Sequence, residues 1–187
     1  MRFVAITKTP QRFLHFYPAT VVVIGVYSPS GRANFMPAVW HSGLSFNPPL
    51  FGVGISPKRY TYELLAAATA FSVSMHPFEQ AELIQKIGSV SGRKVDKAAV
   101  FKLDFIRGQT LKVPILGGAY AAYELEKMSQ ITTGDHDLFV GRLRGLWEDE
   151  AAFAEDAIDP ALAPSLLYYG RYRYGRPLPE VLDLEHD

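Results

Sequence analysis

The amino-acid sequence predicts a mainly β protein, an antiparallel barrel with short flanking helices. Short runs rich in β-branched residues recur along the chain, and clusters of Gly, Pro, Asn and Ser separate them. Only two segments have the composition of helices, and both are short. Because strands do not alternate regularly with long helices, a closed antiparallel barrel is favoured over a parallel α/β sheet.

The first part of the chain is predicted to be a strand meander. Residues 19–27 (ATVVVIGVY) form a β-branched run that is too short for a typical helix and ends at a Ser/Pro/Gly turn. Two more strands are predicted in residues 32–46 and 50–56, on either side of an Asn-Pro-Pro turn. Pro37 is expected to interrupt the first of them.

Two helices and a short strand are predicted next. Residues 60–70 (YTYELLAAATA) are rich in helix formers, and residues 71–75 (FSVSM) have the pattern of a strand. Residues 78–87 (FEQAELIQKI) place apolar side chains roughly on one side, with Gly88 at the position of a C-cap glycine.

Strands return in residues 119–131 and 137–147, with the turn TTGD between them. The last forty or so residues are expected to form loop and one short strand. A chain of 187 residues is of single-domain length, so one domain over residues 1–187 is predicted.

Charge and cysteine content exclude several function classes. Lys plus Arg and Asp plus Glu both number 19, so no overall positive field favours binding to nucleic acid or a membrane surface. The absence of cysteine excludes disulfides, thiolate nucleophiles, Fe–S clusters and Cys-based zinc sites, and no metal site is predicted. No apolar run has the length of a signal-peptide core or a spanning helix, which predicts a cytoplasmic protein.

Several well-known signatures are incomplete. Gly52 and Gly54 begin a G-x-G, but Pro57 stands in place of the third glycine of a dinucleotide-binding loop. Residues 88–92 (GSVSG) carry Val90 where a nucleophile elbow needs serine, and there is no Walker loop or HExxH. Rossmann, hydrolase, kinase and zincin functions are therefore disfavoured.

An ordered set of short motifs is more informative than any single motif. In chain order the set comprises Gly31, Arg32, Asn34, Ala38, Trp40 and Ser42, then Asn47-Pro48-Pro49, then Ser56-Pro57-Lys58-Arg59-Tyr60-Thr61, then Asp96-Lys97, and finally Gly134-Asp135-His136. With this set, the chain from about Pro18 to Gly141 resembles the flavin reductase-like family, and within it the flavoredoxin branch.

The resemblance implies a fold, ligands and partners. The fold would be an FMN-binding split barrel, an antiparallel Greek-key barrel. The cofactor would be FMN, with NADH or NADPH as cosubstrate. The chain would form a homodimer, and a flavin-dependent monooxygenase is an open possibility as a partner.

A site for the flavin ring is predicted around Trp40. The flat ring of FMN needs hydrogen bonds along one edge and an apolar cover, which the irregular backbone here and the indole of Trp40 can supply. The alternative is that Trp40 is a core aromatic and Asn34 a turn residue. The predicted ring contacts are Asn34, Met36, Pro37, Ala38, Val39 and Trp40.

A phosphate site is predicted where a strand gives way to the first helix. Hydroxyls, basic side chains and the N-terminal amides of the helix converge there. The alternative is that a hydroxyl merely caps the helix while the basic side chains are solvated. The predicted contacts are Ser56, Lys58 and Thr61, and the resemblance adds Lys97.

His136 is the single candidate catalytic residue, and the resemblance places it beside the flavin, where it would also contact the cofactor. It is expected to position the hydride donor. The alternative is a surface histidine between Asp135 and Asp137. Among the aromatic residues of the tail, Tyr169 is predicted to close over the site.

Three functions remain open at this point. The first is an NAD(P)H-dependent flavin reductase, in which nicotinamide passes hydride to bound FMN. The second is an FMN-binding electron carrier with little turnover of its own. The third is a β-barrel interaction module without flavin, which would not need both a ring site and a phosphate site.

Overall fold

The computed structural model describes residues 16–154 and 157–182. The strands are β1 (Ala19–Thr20), β2 (Val22–Tyr27), β3 (Ala33–Ala38), β4 (His41–Phe46), β5 (Pro49–Ile55), β6 (Ala70–Met75), β7 (Phe105–Arg107), β8 (Pro114–Leu116), β9 (Ala121–Thr132), β10 (Asp137–Glu148), β11 (Phe153–Ala154), β12 (Ala157–Ile158), β13 (Leu167–Gly170) and β14 (Arg173–Gly175). The helices are α1 (Tyr60–Ala67), α2 (Ala81–Ser89) and α3 (Lys97–Val100), with 3₁₀ turns at Phe78–Gln80 and Glu150–Ala152.

The main sheet has seven strands in the order β3-β2-β6-β9-β10-β5-β4. Each neighbouring pair is antiparallel, as predicted. Strands β3 and β4 are the two ends of this order, although they follow one another in the chain and only Val39 and Trp40 link them. The sheet therefore does not close through a hydrogen-bond ladder, in contrast to the closed barrel favoured by the pattern.

Strand β2 explains why the first apolar run lacks alternation. Val22 and Ile24 pack into a core cluster inside the curved sheet, together with Phe71 and Phe139. Val23 points to the opposite face and packs in a second cluster, beneath α2. Because both faces of β2 are covered, every position favours an apolar side chain.

Two details of β3 and α2 differ from the prediction. Pro37 does not interrupt β3 but lies within it, which an edge strand tolerates because one side of its backbone needs no ladder donor. Gly88 lies inside α2 rather than at its C-cap, which is Val90. A Cβ atom on Gly88 would lie 2.8 Å from Pro37 Cγ, so the glycine is needed for the close approach of α2 to β3.

The C-terminal part contains more strand than predicted. Instead of one short strand, it forms β11 to β14, and β13 pairs with both β1 and β14. The short α3 was not predicted either. None of the helices in residues 16–154 and 157–182 has the length and apolar character needed to cross a membrane.

Candidate functional site

A cleft of about 520 Å³ opens at the free edge of β3. Its walls are the end of β3 with the Val39–Trp40 link, the loop from β5 to α1, the end of α2 with residues 89–92, and the β13–β14 hairpin. Its volume lies within the range of roughly 300 to 1,000 Å³ that is usual for small-molecule sites.

The structure brings together most of the predicted site residues, although they are spread over a hundred positions. Asn34 and Tyr169 are the exceptions. The predicted residues that line the cleft are Met36, Pro37, Ala38, Val39, Trp40, Ser56, Lys58, Thr61, Lys97 and His136.

Asn34 lies behind the cleft and not on its surface. The residue is only 4% exposed, and its Nδ2 donates a hydrogen bond of 2.9 Å to Thr61 Oγ1. Gly92 covers it from the other side, where an added Cβ atom would collide with Asn34 Oδ1. Asn34 was predicted to contact the flavin ring, but in the structure it does not line the cleft.

Tyr169 also lies outside the cleft, because alternate residues of a strand face opposite sides. Its ring packs beside Gly175, where an added Cβ atom would be 2.8 Å from Tyr169 Cε2. Its neighbour Tyr168 faces the cleft instead, with Tyr172 and Tyr174 of the same hairpin.

One end of the cleft, the cation end, carries Arg59, Thr61, Lys97 and residues 89–92. Lys97 is only 4% exposed, and its Nζ donates a 2.8 Å hydrogen bond to the carbonyl of Phe35. Burial, together with the nearby charge of Arg59, lowers the pKa of Lys97 to about 8. The buried ammonium thus has a neutral acceptor and a second cation as neighbours, an arrangement that favours an anion.

The first turn of α1 also faces the cation end. Helix α1 begins at Tyr60 after Arg59, and no side chain in the described part of the chain caps it. Thr61, 2% exposed, is the second residue of the helix and not its cap. The first amides of a helix have no partner within the helix and carry a positive partial charge, so they reinforce the anion preference.

Residues 89–92 also line the cleft, although they were not among the predicted site residues. The signal in the sequence is the GSVSG segment at residues 88–92, which is rich in small residues. Small residues directly after a helix let the backbone approach a ligand closely. Arg59 was also missed as a contact, although it belongs to the predicted phosphate segment.

The other end of the cleft, the ring end, carries residues 36–40, Lys58 and His136. The rings of Trp40 and His136 lie 4.3 Å apart between centroids, at an angle of 43°. His136 Nδ1 is 2.7 Å from Asp135 Oδ1. This hydrogen bond, aided by the charge of Lys58, lowers the pKa of Asp135. A neutral His136 therefore carries its proton on Nδ1, which leaves Nε2 as an acceptor.

A tyrosine wall, made of Tyr17, Tyr168, Tyr172 and Tyr174, closes the third side. Tyr168 packs edge-on against Tyr17 at 5.4 Å, and Tyr174 donates a 2.6 Å hydrogen bond to Gln85 Oε1 on α2. At the tip of the hairpin, Arg171 and Tyr172 have φ values of 51° and 61°. The left-handed region is costly for such side chains, so the surrounding structure imposes this turn.

The fold and the cleft define the class of protein: a split β-barrel whose cleft has aromatic side chains at one end and cations at the other. The family model of the flavin reductase like domain matches residues 14–176. The chain belongs to the flavin reductase-like family, and the predicted split-barrel fold is confirmed.

Solved structures with the same fold include flavin-binding proteins. An FMN-binding protein from Thermus thermophilus, with bound 1-cyclohex-2-enone, is 49% identical, with a TM-score of 0.88 over 98% of this chain and 100% of that chain. A flavoredoxin from Methanosarcina acetivorans is 26% identical, with a TM-score of 0.82 over 99% of this chain and 95% of that chain.

An uncharacterized protein from Aeropyrum pernix is 32% identical over 166 residues. The match covers 88% of this chain but only 62% of that relative, so the chain spans less than two thirds of its length.

Proposed function

We propose that this chain binds FMN in the cleft and is an oxidoreductase that passes hydride from NADH or NADPH to the flavin. The observation that carries the proposal is the cation end, where buried Lys97 and exposed Arg59 meet the N-terminus of α1 in a cleft whose other end is aromatic. The 49% identity to an FMN-binding protein, over nearly the whole of both chains, supports it.

The cation end would hold the phosphate. Lys97 and Arg59 supply positive charge, while the Thr61 hydroxyl and the first amides of α1 supply directional donors. Residues 89–92 bring further backbone close to the same point. Because Lys97 is buried, its attraction for a dianion is weakly screened by solvent.

The ring end would hold the flavin ring. The free edge of β3 offers backbone groups to the ring, and Trp40 is held in place because its carbonyl accepts a 2.7 Å hydrogen bond from Gly54 N. Bound FMN would supply the chemistry by accepting a hydride and later releasing the electrons. The protein's part is to align two rings and exclude water.

His136 would act on the side of the hydride donor. Its Nε2 can accept a hydrogen bond from an amide such as the nicotinamide carboxamide, because Asp135 holds the proton on Nδ1. The tyrosine wall would cover the donor ring from the opposite side of the cleft.

A second candidate is an FMN-binding electron carrier with little turnover. The similarity to a flavoredoxin over 99% of this chain favours this candidate. Turnover separates the two: a reductase oxidises many equivalents of NADH or NADPH when free FMN is added, whereas a carrier is reduced once.

We further propose a homodimer. Support comes from exposed apolar side chains on three strands of the main sheet, namely Leu44 and Phe46 on β4, Met128 on β9 and Leu146 on β10. Sedimentation with FMN present tests this, and a monomer would refute it. A single domain, a cytoplasmic location and a monooxygenase partner stay predictions.

The colour of the purified protein tests FMN binding. Oxidised flavin bands at about 370 and 450 nm are expected, either at once or after addition of FMN. Anaerobic addition of NADH or NADPH should then bleach the longer-wavelength band. A protein that stays colourless after FMN addition refutes both flavin functions.

A further inference from the structure

Asn34 binds the side chain of Thr61, which lines the cleft, although Asn34 itself does not line it. It lies on β3 between α1 and residues 89–92, and its Nδ2 donates to Thr61 Oγ1 at 2.9 Å. Asn34 is 4% exposed and Thr61 is 2% exposed, so water competes little for this contact. Asn34 Oδ1 has no hydrogen-bond partner among the described residues.

The direction of the hydrogen bond from Asn34 to Thr61 determines whether the Thr61 hydroxyl donates or accepts in a further hydrogen bond. A threonine hydroxyl has one hydrogen and two lone pairs. Since Asn34 already donates to the oxygen, the hydroxyl hydrogen of Thr61 remains to be donated elsewhere. A phosphate group offers only acceptors at neutral pH, so a hydroxyl restricted to donation is suited to it.

Phe35, the next residue of β3, holds the ammonium group of Lys97 in place. The carbonyl of Phe35 accepts the 2.8 Å hydrogen bond from Lys97 Nζ. Residues 34 and 35 therefore fix one donor from α1 and one from α3, through a side chain and a backbone group respectively. Gly92 packs against the same Asn34 side chain, which links residues 89–92 to this pair.

We propose that Asn34 is a positioning residue that holds the Thr61 hydroxyl as a donor for the flavin phosphate, so that the cleft distinguishes FMN from riboflavin. The inference rests on the proposed FMN function. It assigns to Asn34 an effect on the phosphate alone, because its side-chain hydrogen bond goes to Thr61 at the cation end.

The test is the affinity for FMN and for riboflavin, which have the same ring, measured by quenching of flavin fluorescence. Asn34→Ala should weaken FMN binding about tenfold, as expected for one hydrogen bond to a charged group, and change riboflavin binding less than about twofold. Thr61→Val should give the same pattern. The double variant should lose little more than either single variant, because both remove one contact.

Ser74→Ala serves as the matched control. Ser74 is a buried polar residue of β6, 1% exposed, whose hydroxyl donates a 3.2 Å hydrogen bond to the carbonyl of Val23 and lies 2.8 Å from His76 Nε2. Its removal should leave the ratio of the FMN and riboflavin affinities unchanged. If Asn34→Ala folds poorly, Asn34→Asp keeps the shape but accepts a hydrogen bond from Thr61, and it should weaken FMN binding by at least as much.

The outcomes are distinct. Equal losses for FMN and riboflavin in the Asn34 variants, or no loss for FMN, overturn the positioning role while leaving FMN binding in place. Strictly additive losses in the double variant also overturn it. A parent protein that binds neither flavin refutes the proposed function, and the inference falls with it.

Discussion

The protonation of Lys97 should make FMN binding depend on pH in the range where an ordinary lysine stays charged. Burial and the neighbouring charge of Arg59 lower the pKa of Lys97 to about 8 in the free protein. A phosphate dianion favours the protonated lysine, so binding raises this pKa. Affinity for FMN is therefore greatest below the free-protein pKa and falls as pH rises through it.

The size of the effect follows from the fraction of protein that carries the charge. With a pKa of about 8, roughly nine tenths of Lys97 is protonated at pH 7 and roughly one tenth at pH 9. If the neutral form binds much more weakly, the apparent affinity falls by about tenfold over this interval. The second ionisation of a phosphate ester lies near pH 6, so the charge of the ligand changes little above pH 7.

The assay is FMN titration by fluorescence quenching from pH 6.5 to 9.5, with riboflavin as the ring control. Lys97→Met should weaken FMN binding by about 1 to 3 kcal/mol at pH 7 and abolish most of the pH dependence. An affinity for FMN that stays level between pH 7 and 9, or that falls in parallel with riboflavin, would refute the placement of the phosphate beside Lys97.

Three further predictions concern the ring end, the wall of the cleft and the core. His136→Ala should retain FMN but slow anaerobic reduction by NADH or NADPH by about ten- to a hundredfold, since a positioning contact is lost; equal rates in stopped-flow would remove His136 from the mechanism. Gly88→Ala should weaken FMN binding, because the new Cβ atom meets the rigid ring of Pro37 and pushes α2 from β3; unchanged binding and unfolding midpoint would contradict this. Burial lowers the pKa of His76 from 6.5 to about 4, so between these pH values the folded protein binds fewer protons than the unfolded chain. The part of the free energy of unfolding that depends on His76 is therefore fully present above about pH 6.5 and is lost as pH falls to about 4. Urea unfolding should show roughly 3 kcal/mol of acid destabilisation from this group, reduced in His76→Gln, and identical pH dependence in both proteins would count against it.

The sequence predicted the elements whose pattern is local. Strands β2 and β5 and helix α2 follow from runs and periodicity within ten residues, which is the scale on which backbone preferences act. The sequence did not predict features that depend on contacts between distant parts of the chain. The glycine at position 88 had a cap-like place in the sequence, but it is needed because Pro37, fifty residues away, lies against it.

The site was predicted only in part, for a similar reason. Thr61 and its neighbours could be found from chemistry because hydroxyls and cations cluster in the sequence, whereas Lys97 came only from the resemblance, since a single lysine carries no pattern. The choice of Tyr169 over Tyr168 needed the register of β13 against β1 and β14, which composition does not give. Asn34 was predicted to contact the ligand, but it lies one layer behind the surface of the cleft, because Thr61 and Gly92 on other parts of the chain bury it.

The gap between β3 and β4 has a consequence for the protein without its ligand. A strand edge that no neighbour satisfies is a template for another chain, and proteins usually cover or interrupt such edges. Here Pro37 has no backbone N–H to donate at this edge. The other backbone groups at the end of β3 face the cleft, where a bound ligand can contact them. A planar ligand in the cleft then protects this edge as a further strand would, and we expect the ligand-free chain to self-associate more readily than the ligand-bound one.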